Sequence, residues 1–461
     1  MCLSALLKQH GHRVEVFIPR GDQWRGRILQ ELSAFAPDLV GFPCTTGTHN
    51  AALQLAETIK RTFPTKTIFG GPHPTYFPDI INEPAVDIIC RGEGEYPLLD
   101  LADKIDRDED ITGILSCWFK RDRTIIKNEQ RPLIEDLDRL PFPDRELYIT
   151  KYPSLRKSQK VFMASRGCPF NCTFCFNHQY KNLYQGKGTF VRYRSVENLI
   201  QEINEVRGRE KEMRTVYMQD DTLILDKAWV KEFADSYARE IHLPLICLIR
   251  ADLTDEPTIQ KLREACCKNV FFGIETGSEH LRNTLLKKGI TDEQILHTAQ
   301  LLKKYGIKFR TYNMLGLPGE TMEEAYQTME INMKIKTDYP WCALFHPFPG
   351  TELGTYAQER HLLESPADNG LPSFFKTSRI KSAHKNELVN LQKLFFYGVK
   401  FPRLMPLIKI MIRWRPNLLF EILFLTGYAW SYMRSENLSL GEVWSIGWRN
   451  LARFFFKAEQ P

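Results

Sequence analysis

The 461-residue chain has no apolar run of the roughly 20 residues that a helix needs to cross a bilayer. The nearest, 418–433, is shorter and carries Glu421. Residues 1–12 lack a basic segment followed by an apolar stretch and a cleavage site, so no secretory leader is expected and a cytoplasmic location is. Charge of one sign is not in great excess either. A net +6 is small for this length and gives no reason to expect a nucleic-acid partner. The eleven cysteines are odd in number and mostly scattered, so they do not form a disulfide framework. In a reducing compartment, cysteines that do cluster read as metal or redox ligands. Hydrophobic content of 43% and charged content of 26% describe a folded protein with room for two or three domains.

What is present is a long alternation of helix and strand signals. In residues 1–110, helices at 1–9, 24–35, 51–62 and 96–105 separate short apolar runs at 14–18, 39–42, 67–69 and 86–90. That order indicates an α/β, doubly wound, Rossmann-like sheet that binds ligands at the carboxyl ends of its strands. Residues 111–155 read as a hairpin (115–119 with 124–127) and a Pro-rich linker. From 156 to 360 strands are expected at 161–165, 215–218, 245–249, 270–274, 308–315 and 342–346. Helices are expected between them at 197–207, 228–239, 257–266, 292–305 and 322–334. Six βα units suit a partial (βα)6 TIM barrel with its chemistry at the carboxyl ends of the strands. Residues 361–461 are helical, aromatic and basic; from Tyr397 onward nine Lys/Arg face four Glu.

The segment that carries chemistry is Arg166-Gly167-Cys168-Pro169-Phe170-Asn171-Cys172-Thr173-Phe174-Cys175-Phe176-Asn177, just after the first barrel strand. Thiolates are the usual protein ligands of iron–sulfur clusters. Three of them on a four-iron cluster leave one iron open to a ligand of its own. The competing reading is a structural zinc site completed by His178.

The spacing C-x3-C-x2-C, with aromatic Phe174 before the last cysteine, resembles the signature of the radical S-adenosylmethionine (SAM) family. The resemblance implies a 4Fe–4S cluster on Cys168, Cys172 and Cys175, SAM at the open iron, and Phe174 beside the adenine. Gln219-Asp220-Asp221 stands where many members bind the SAM amino group, which implies Asp220 and Asp221 at the SAM site; a helix N-cap is the alternative. Arg250, closing the third strand, is carried over with them. Gly273-Ile274-Glu275-Thr276-Gly277 resembles the family's Gly-Ile-Glu-Ser-Gly and implies Glu275 as a further SAM ligand, against a salt bridge to Arg250 or Arg310. Gly316-Leu317-Pro318-Gly319-Glu320-Thr321 and Pro349-Gly350-Thr351 match family turns.

Pro37-Asp38-Leu39-Val40-Gly41, Gly70-Gly71-Pro72-His73-Pro74-Thr75 and Arg91-Gly92-Glu93-Gly94-Glu95 resemble the cobalamin-binding domain that precedes some radical SAM barrels. By that resemblance Thr45, Thr46, Gly70, Gly71, His73, Thr75, Gly92 and Glu93 line cobalamin. The Asp-x-His-x-x-Gly motif is absent, so no histidine is expected on cobalt; His12, His49 and His73 read as hydrogen-bonded surface or turn residues. The family's opening strand has no counterpart before Met1, so the sheet is expected to lack it.

Taken together, the resemblance implies a cobalamin-dependent methyltransferase acting on an unactivated carbon or on phosphorus. An oxidative cyclase or rearrangement enzyme is the catalytic alternative, and a zinc- or cobalamin-binding module the non-catalytic one. Expected partners are a small-molecule or lipid-like substrate and a reductant such as flavodoxin or ferredoxin. The apolar, Arg-edged runs at 395–401, 404–414, 418–433 and 443–456 are expected to cap the open barrel. The same runs also suit a membrane interface, which adds peripheral membrane contact as a partner.

Overall fold

The computed structural model describes residues 1–19, 24–122, 124–364 and 374–443, with Arg25 described by its backbone alone. Two compact units divide the chain: Met1–Arg156 with Gln179–Phe190, and Lys157–His178 with Val191 onward.

The first unit runs α1 (Cys2–Gln9), α2 (Trp24–Phe35), β1 (Leu39–Pro43), α3 (His49–Lys60), β2 (Lys66–Gly70), α4 (Pro72–Tyr76), β3 (Ile88–Cys90), α5 (Glu95–Asp106), β4 (Cys117–Arg121), β5 (Thr124–Lys127) and α6 (Arg145–Lys151). Strands β1 to β3 are parallel, and β4 and β5 add antiparallel. Side chains are buried on both faces of this sheet, which is why its inner strands read as unbroken apolar runs. Phe42, Ile59, Phe69 and Ile89 pack on one side, and Ile68, Ile88, Leu101 and Phe119 on the other. The segment read as hairpin and linker therefore belongs to this unit, because β4 and β5 continue its sheet.

One expected strand is corrected. Residues 14–18 form no strand, and among the described residues β1 is the sheet edge. That run has no ladder partner among the described residues. Without a ladder partner its amides turn elsewhere, as when Ile18 N donates to the Tyr152 hydroxyl at 2.8 Å.

The second unit opens with β6 (Gln159–Phe162) and β7 (Ser165–Arg166). Then come α7 (Asn177–Leu183, which runs on into the first unit), β8 (Arg192–Tyr193), α8 (Val196–Arg209), β9 (Thr215–Met218), α9 (Lys227–Glu240), β10 (Leu245–Leu248) and α10 (Glu256–Glu264). They lead to β11 (Cys267–Glu275), α11 (Glu279–Thr284), α12 (Asp292–Lys304), β12 (Lys308–Leu315), α13 (Met322–Lys334), β13 (Tyr339–Leu344) and α14 (Glu352–Glu359). Strands β6, β9, β10, β11, β12 and β13 lie side by side, all parallel, as an open six-stranded barrel wall. The helices start where the sequence supplies caps: Thr291 with Gln294, and Thr321 with Glu324, form complete capping boxes. The strand expected at 342–346 lies earlier, and α10 stops at Glu264 because Cys266 turns left-handed (φ 58°) into β11.

Three C-terminal helices, α15 (Lys385–Lys400), α16 (Met405–Met411) and α17 (Leu418–Ser435), cover the open side. Leu391, Leu394, Phe395, Ile408 and Phe420 share a core with Leu344 and Cys342 of the edge strand β13. The end of α17 closes the amino-terminal mouth of the barrel: Arg310 donates to Glu436 at 2.7 Å, Gln159 to Glu436 at 2.9 Å, and Asn269 to the Ser435 carbonyl at 2.6 Å. The helical run expected at 443–456 lies outside the described residues from 444 onward.

Candidate active site

With its amino end plugged by α17, the barrel leaves its carboxyl end for chemistry, and the cysteine loop leaves β7 there. Gly167 adopts φ 94°, a left-handed turn that an L side chain resists, and so swings the chain into Cys168. The loop is fastened from outside. Thr173 donates its amide to Leu286 O (3.1 Å) and its hydroxyl to Leu285 O (2.7 Å), and its carbonyl accepts from Leu353 N at 2.9 Å.

The sulfurs receive donors. Asn177 N points at Cys175 Sγ (3.5 Å) and Arg250 Nη1 at Cys172 Sγ (3.6 Å). Arg250 is itself held by Asp252 through two contacts of 2.9 and 3.2 Å, by the Lys288 carbonyl, and by the Phe170 ring 3.5 Å from its guanidinium carbon. Burial raises the Cys168 thiol and pushes Cys175 up to about 11. Donors to sulfur and a cation beside it favour thiolates once a cluster is loaded. Around one zinc ion, sulfurs at 2.3 Å would stand about 3.8 Å apart. Among the described residues no group of three His, Cys, Asp or Glu side chains gathers for a single ion. His178 instead meets the Cys175 carbonyl through Nδ1 at 2.5 Å. The donor set fits a cluster with a vacant corner better than it fits zinc.

The two aspartates part company. Asp220 is 1% exposed, and its Oδ1 accepts from Ala164 N (2.9 Å), Ser165 N (2.6 Å) and Ser165 Oγ (2.6 Å). It ties β9 to the strand end that feeds the cysteine loop, and burial raises its carboxyl to about 6. Asp221 is exposed, bonded by the Asn177 side chain, and close enough to Cys168 and Cys175 to raise both thiols. The N-cap reading fails for both, because Asp226 caps α9 through Ala228 N and Trp229 N.

Glu275, at the end of β11, pairs with Lys288 at 2.6 Å, not with Arg250 or with Arg310, which lies at the opposite mouth. Lys288 also stands 5.9 Å from the Phe174 ring centroid. Nothing in the Lys287-Lys288-Gly289 run singled that lysine out, nor did any motif mark Phe170 or Thr173. Arg250, Asp221, Glu275, Phe174 and the three cysteines thus gather at one mouth, whereas Asp220 sits behind it as a brace.

In the first unit the residues assigned to cobalamin fall into two groups. Thr45, Thr46, Gly70, Gly71 and His73 follow β1 and β2 along one sheet edge. Thr46 Oγ1 lies 3.1 Å from His73 Nδ1, and His49 stacks on His73 with ring centroids 3.9 Å apart. Burial and the neighbouring His49 lower His73 to about 4. An edge of Gly and Thr lets a bulky, flat ligand approach the backbone, which is what a corrin requires. Thr75, Gly92 and Glu93 brace one another: Thr75 Oγ1 donates to Gly71 O (2.7 Å) and accepts from Gly92 N (3.0 Å). Tyr184 takes the Glu93 amide at 2.8 Å, and a Cβ on Gly92 would overlap its hydroxyl. Tyr184 and its partner Gln130 (2.9 Å) carried no sequence signal.

Residues 163–331 match the Radical SAM superfamily and residues 1–102 the B12 binding domain. The chain is 30% identical to an uncharacterized methyltransferase of Pyrococcus horikoshii, covering 73% of this chain and 72% of that protein. It is 27% identical to an anaerobic magnesium-protoporphyrin IX monomethyl ester cyclase of Rubrivivax gelatinosus, covering 76% and 64%. Against a cytidylyl-2-hydroxyethylphosphonate methyltransferase of Streptomyces wedmorensis it is 26% identical, covering 64% and 62%, so it spans a little under two-thirds of these last two. Two solved structures share its fold. The radical S-adenosylmethionine methyltransferase TsrM of Kitasatospora setae superposes with TM-score 0.66 at 18% identity over 81% of this chain and 76% of that one. The cobalamin-dependent S-adenosylmethionine radical enzyme OxsB gives 0.66 at 16% identity over 98% and 72%.

Proposed function

The chain belongs to the radical SAM superfamily, with a B12-binding domain ahead of its barrel, and from that premise we propose that it is a cobalamin-dependent methyltransferase acting on a small-molecule or lipid-like substrate. The acceptor is an unactivated carbon or a phosphorus centre. The observation that carries this reading is the three-cysteine loop at the open barrel mouth, with an arginine donor on one sulfur and a backbone amide on another. When bound, the cluster with SAM supplies a carbon radical, and cobalamin supplies the methyl group.

The residues divide the remaining work. Cys168, Cys172 and Cys175 hold the cluster. Arg250 steadies the Cys172 thiolate and, through Asp252 and Phe170, the loop around it. Asp221, Glu275 with Lys288, and Phe174 offer a carboxylate, an ion pair and a ring to the amino acid, ribose and adenine of SAM. Thr45, Thr46, Gly70, Gly71 and His73 form the edge offered to cobalamin, and Thr75, Gly92 and Glu93 keep its loops in place. An electron donor of the flavodoxin or ferredoxin kind serves the cluster, and no nucleic acid is involved.

The test is anaerobic reconstitution with iron, sulfide, cobalamin and SAM, followed by mass analysis of products. A methyltransferase yields S-adenosylhomocysteine alongside 5′-deoxyadenosine. 5′-Deoxyadenosine alone would favour the cyclase reading, which the Rubrivivax relative supports. Cys172→Ala should lower SAM cleavage by at least about a thousandfold, some 4 kcal/mol in barrier. Cleavage retained in that variant would remove the site assignment.

A further inference from the structure

The C-terminal helices bury one face and leave another bare. Ile408, Ile412 and Phe420 are 1–3% exposed within the core they share with α15 and β13. On the same stretch of chain Leu407, Ile410, Trp414, Leu418 and Leu419 are 52–62% exposed, and Phe401 lies at its start. Scattered exposed leucines need no explanation, but a run of this kind is a patch.

Its charge is one-sided. Residues 401–420 contain Arg403, Lys409, Arg413 and Arg415, all exposed, and no Asp or Glu. No described carboxylate forms an ion pair with any of the four; Glu323 and Glu387 lie at the margin, near Tyr326, whose hydroxyl also feels Arg413. The first acidic residue beyond the stretch, Glu421, already pairs with Lys393 at 2.9 Å. Among the described residues no helix is long and apolar enough to cross a membrane. Apolar side chains ringed by Arg and Lys, with a tryptophan among them, suit a surface that lies in the headgroup region of a bilayer.

We propose that the 401–422 face of α16 and α17 seats the protein on an anionic phospholipid surface. Charge decides among the possible occupants. A second copy would set the same four cations against themselves. The chain's own 444–461 segment is also basic, with Arg449, Arg453 and Lys457 against Glu459. A nucleic acid would match the cations but would leave the apolar side chains in water. An anionic lipid layer satisfies both. This inference does not depend on the methyltransferase reading.

The experiment is cosedimentation of the full chain with phosphatidylcholine vesicles and with vesicles enriched in phosphatidylglycerol. Binding is expected to the second kind, weakening as salt is raised. R403E/K409E/R415E should reduce partitioning by at least about tenfold, given several-fold per basic residue near an anionic surface. L407S/W414S/L418S should reduce it too, and because these side chains are exposed, thermal unfolding should stay that of the parent. The proposal is overturned if the parent stays in the supernatant with anionic vesicles, or if both variants bind as it does. It is equally overturned if binding requires removal of 444–461, if the apolar variant only abolishes self-association in light scattering, or if an RNA homopolymer binds the patch in place of lipid.

Discussion

Asp220 and Asp221 are neighbours with the same chemistry and different work. Three donors converge on one oxygen of Asp220, two of them amides of the chain that leads into Cys168. Replacing Asp220 with Ala leaves those donors buried and unsatisfied, which should cost roughly 3 kcal/mol of stability. Iron content after reconstitution should fall as well. Asp221→Ala should leave the melting temperature alone and weaken SAM binding. A calorimetric scan with an iron assay separates the two, and an Asp220→Ala protein that melts and loads like the parent would end its role as a brace. The pair Asp-Asp was visible in the sequence, but not which member faces the mouth, because side-chain direction at a strand end is settled by the neighbours it meets.

At the scale of elements, α17 does two things. Its side packs with α15 over the edge strand, and its end brings Glu436 into the barrel, where Arg310 and Glu436 are 3% and 6% exposed. Breaking such a buried pair from one side strands the other charge, at about 3–5 kcal/mol. Arg310→Met should therefore lower the second unit's unfolding temperature by several degrees, while Arg310→Met with Glu436→Leu should recover most of it. A double variant no better than the single would show that Arg310 matters chiefly through the Phe271 and Trp341 rings it stacks on, 4.2 and 4.8 Å from its guanidinium carbon. Composition identified these helices as a cap. Only the fold shows that the cap's last turn plugs the end of the barrel away from the cysteines.

At the scale of the whole molecule, the two units should answer acid in opposite directions. In the first, His73 is lowered to about 4. The unfolded chain then binds more protons between about 4 and 6.5, so this contribution is complete above 6.5 and is lost as pH falls toward 4. In the second, burial raises Asp220 to about 6 and Glu320 to about 8. The folded chain binds more protons in those windows, so acidification relieves a penalty there. Calorimetry from pH about 7 to about 5 should show the first unit's transition falling while the second's holds or rises. His73→Gln should flatten the first. A fall of both transitions together would refute this division.

The sequence by itself determined the class of the fold, most of the strands and helices, and where the three-cysteine loop falls. These rest on local rules: apolar periodicity, capping residues, and three cysteines contained within eight residues. The tertiary structure alone decided that 14–18 joins no sheet among the described residues and that β4 and β5 extend the first sheet. It alone put Glu275 with Lys288, Arg250 on the Cys172 sulfur, and Tyr184 behind Gly92. Each of these joins positions distant in the chain, and pairing across such distances depends on which surfaces packing brings together, something no local pattern records.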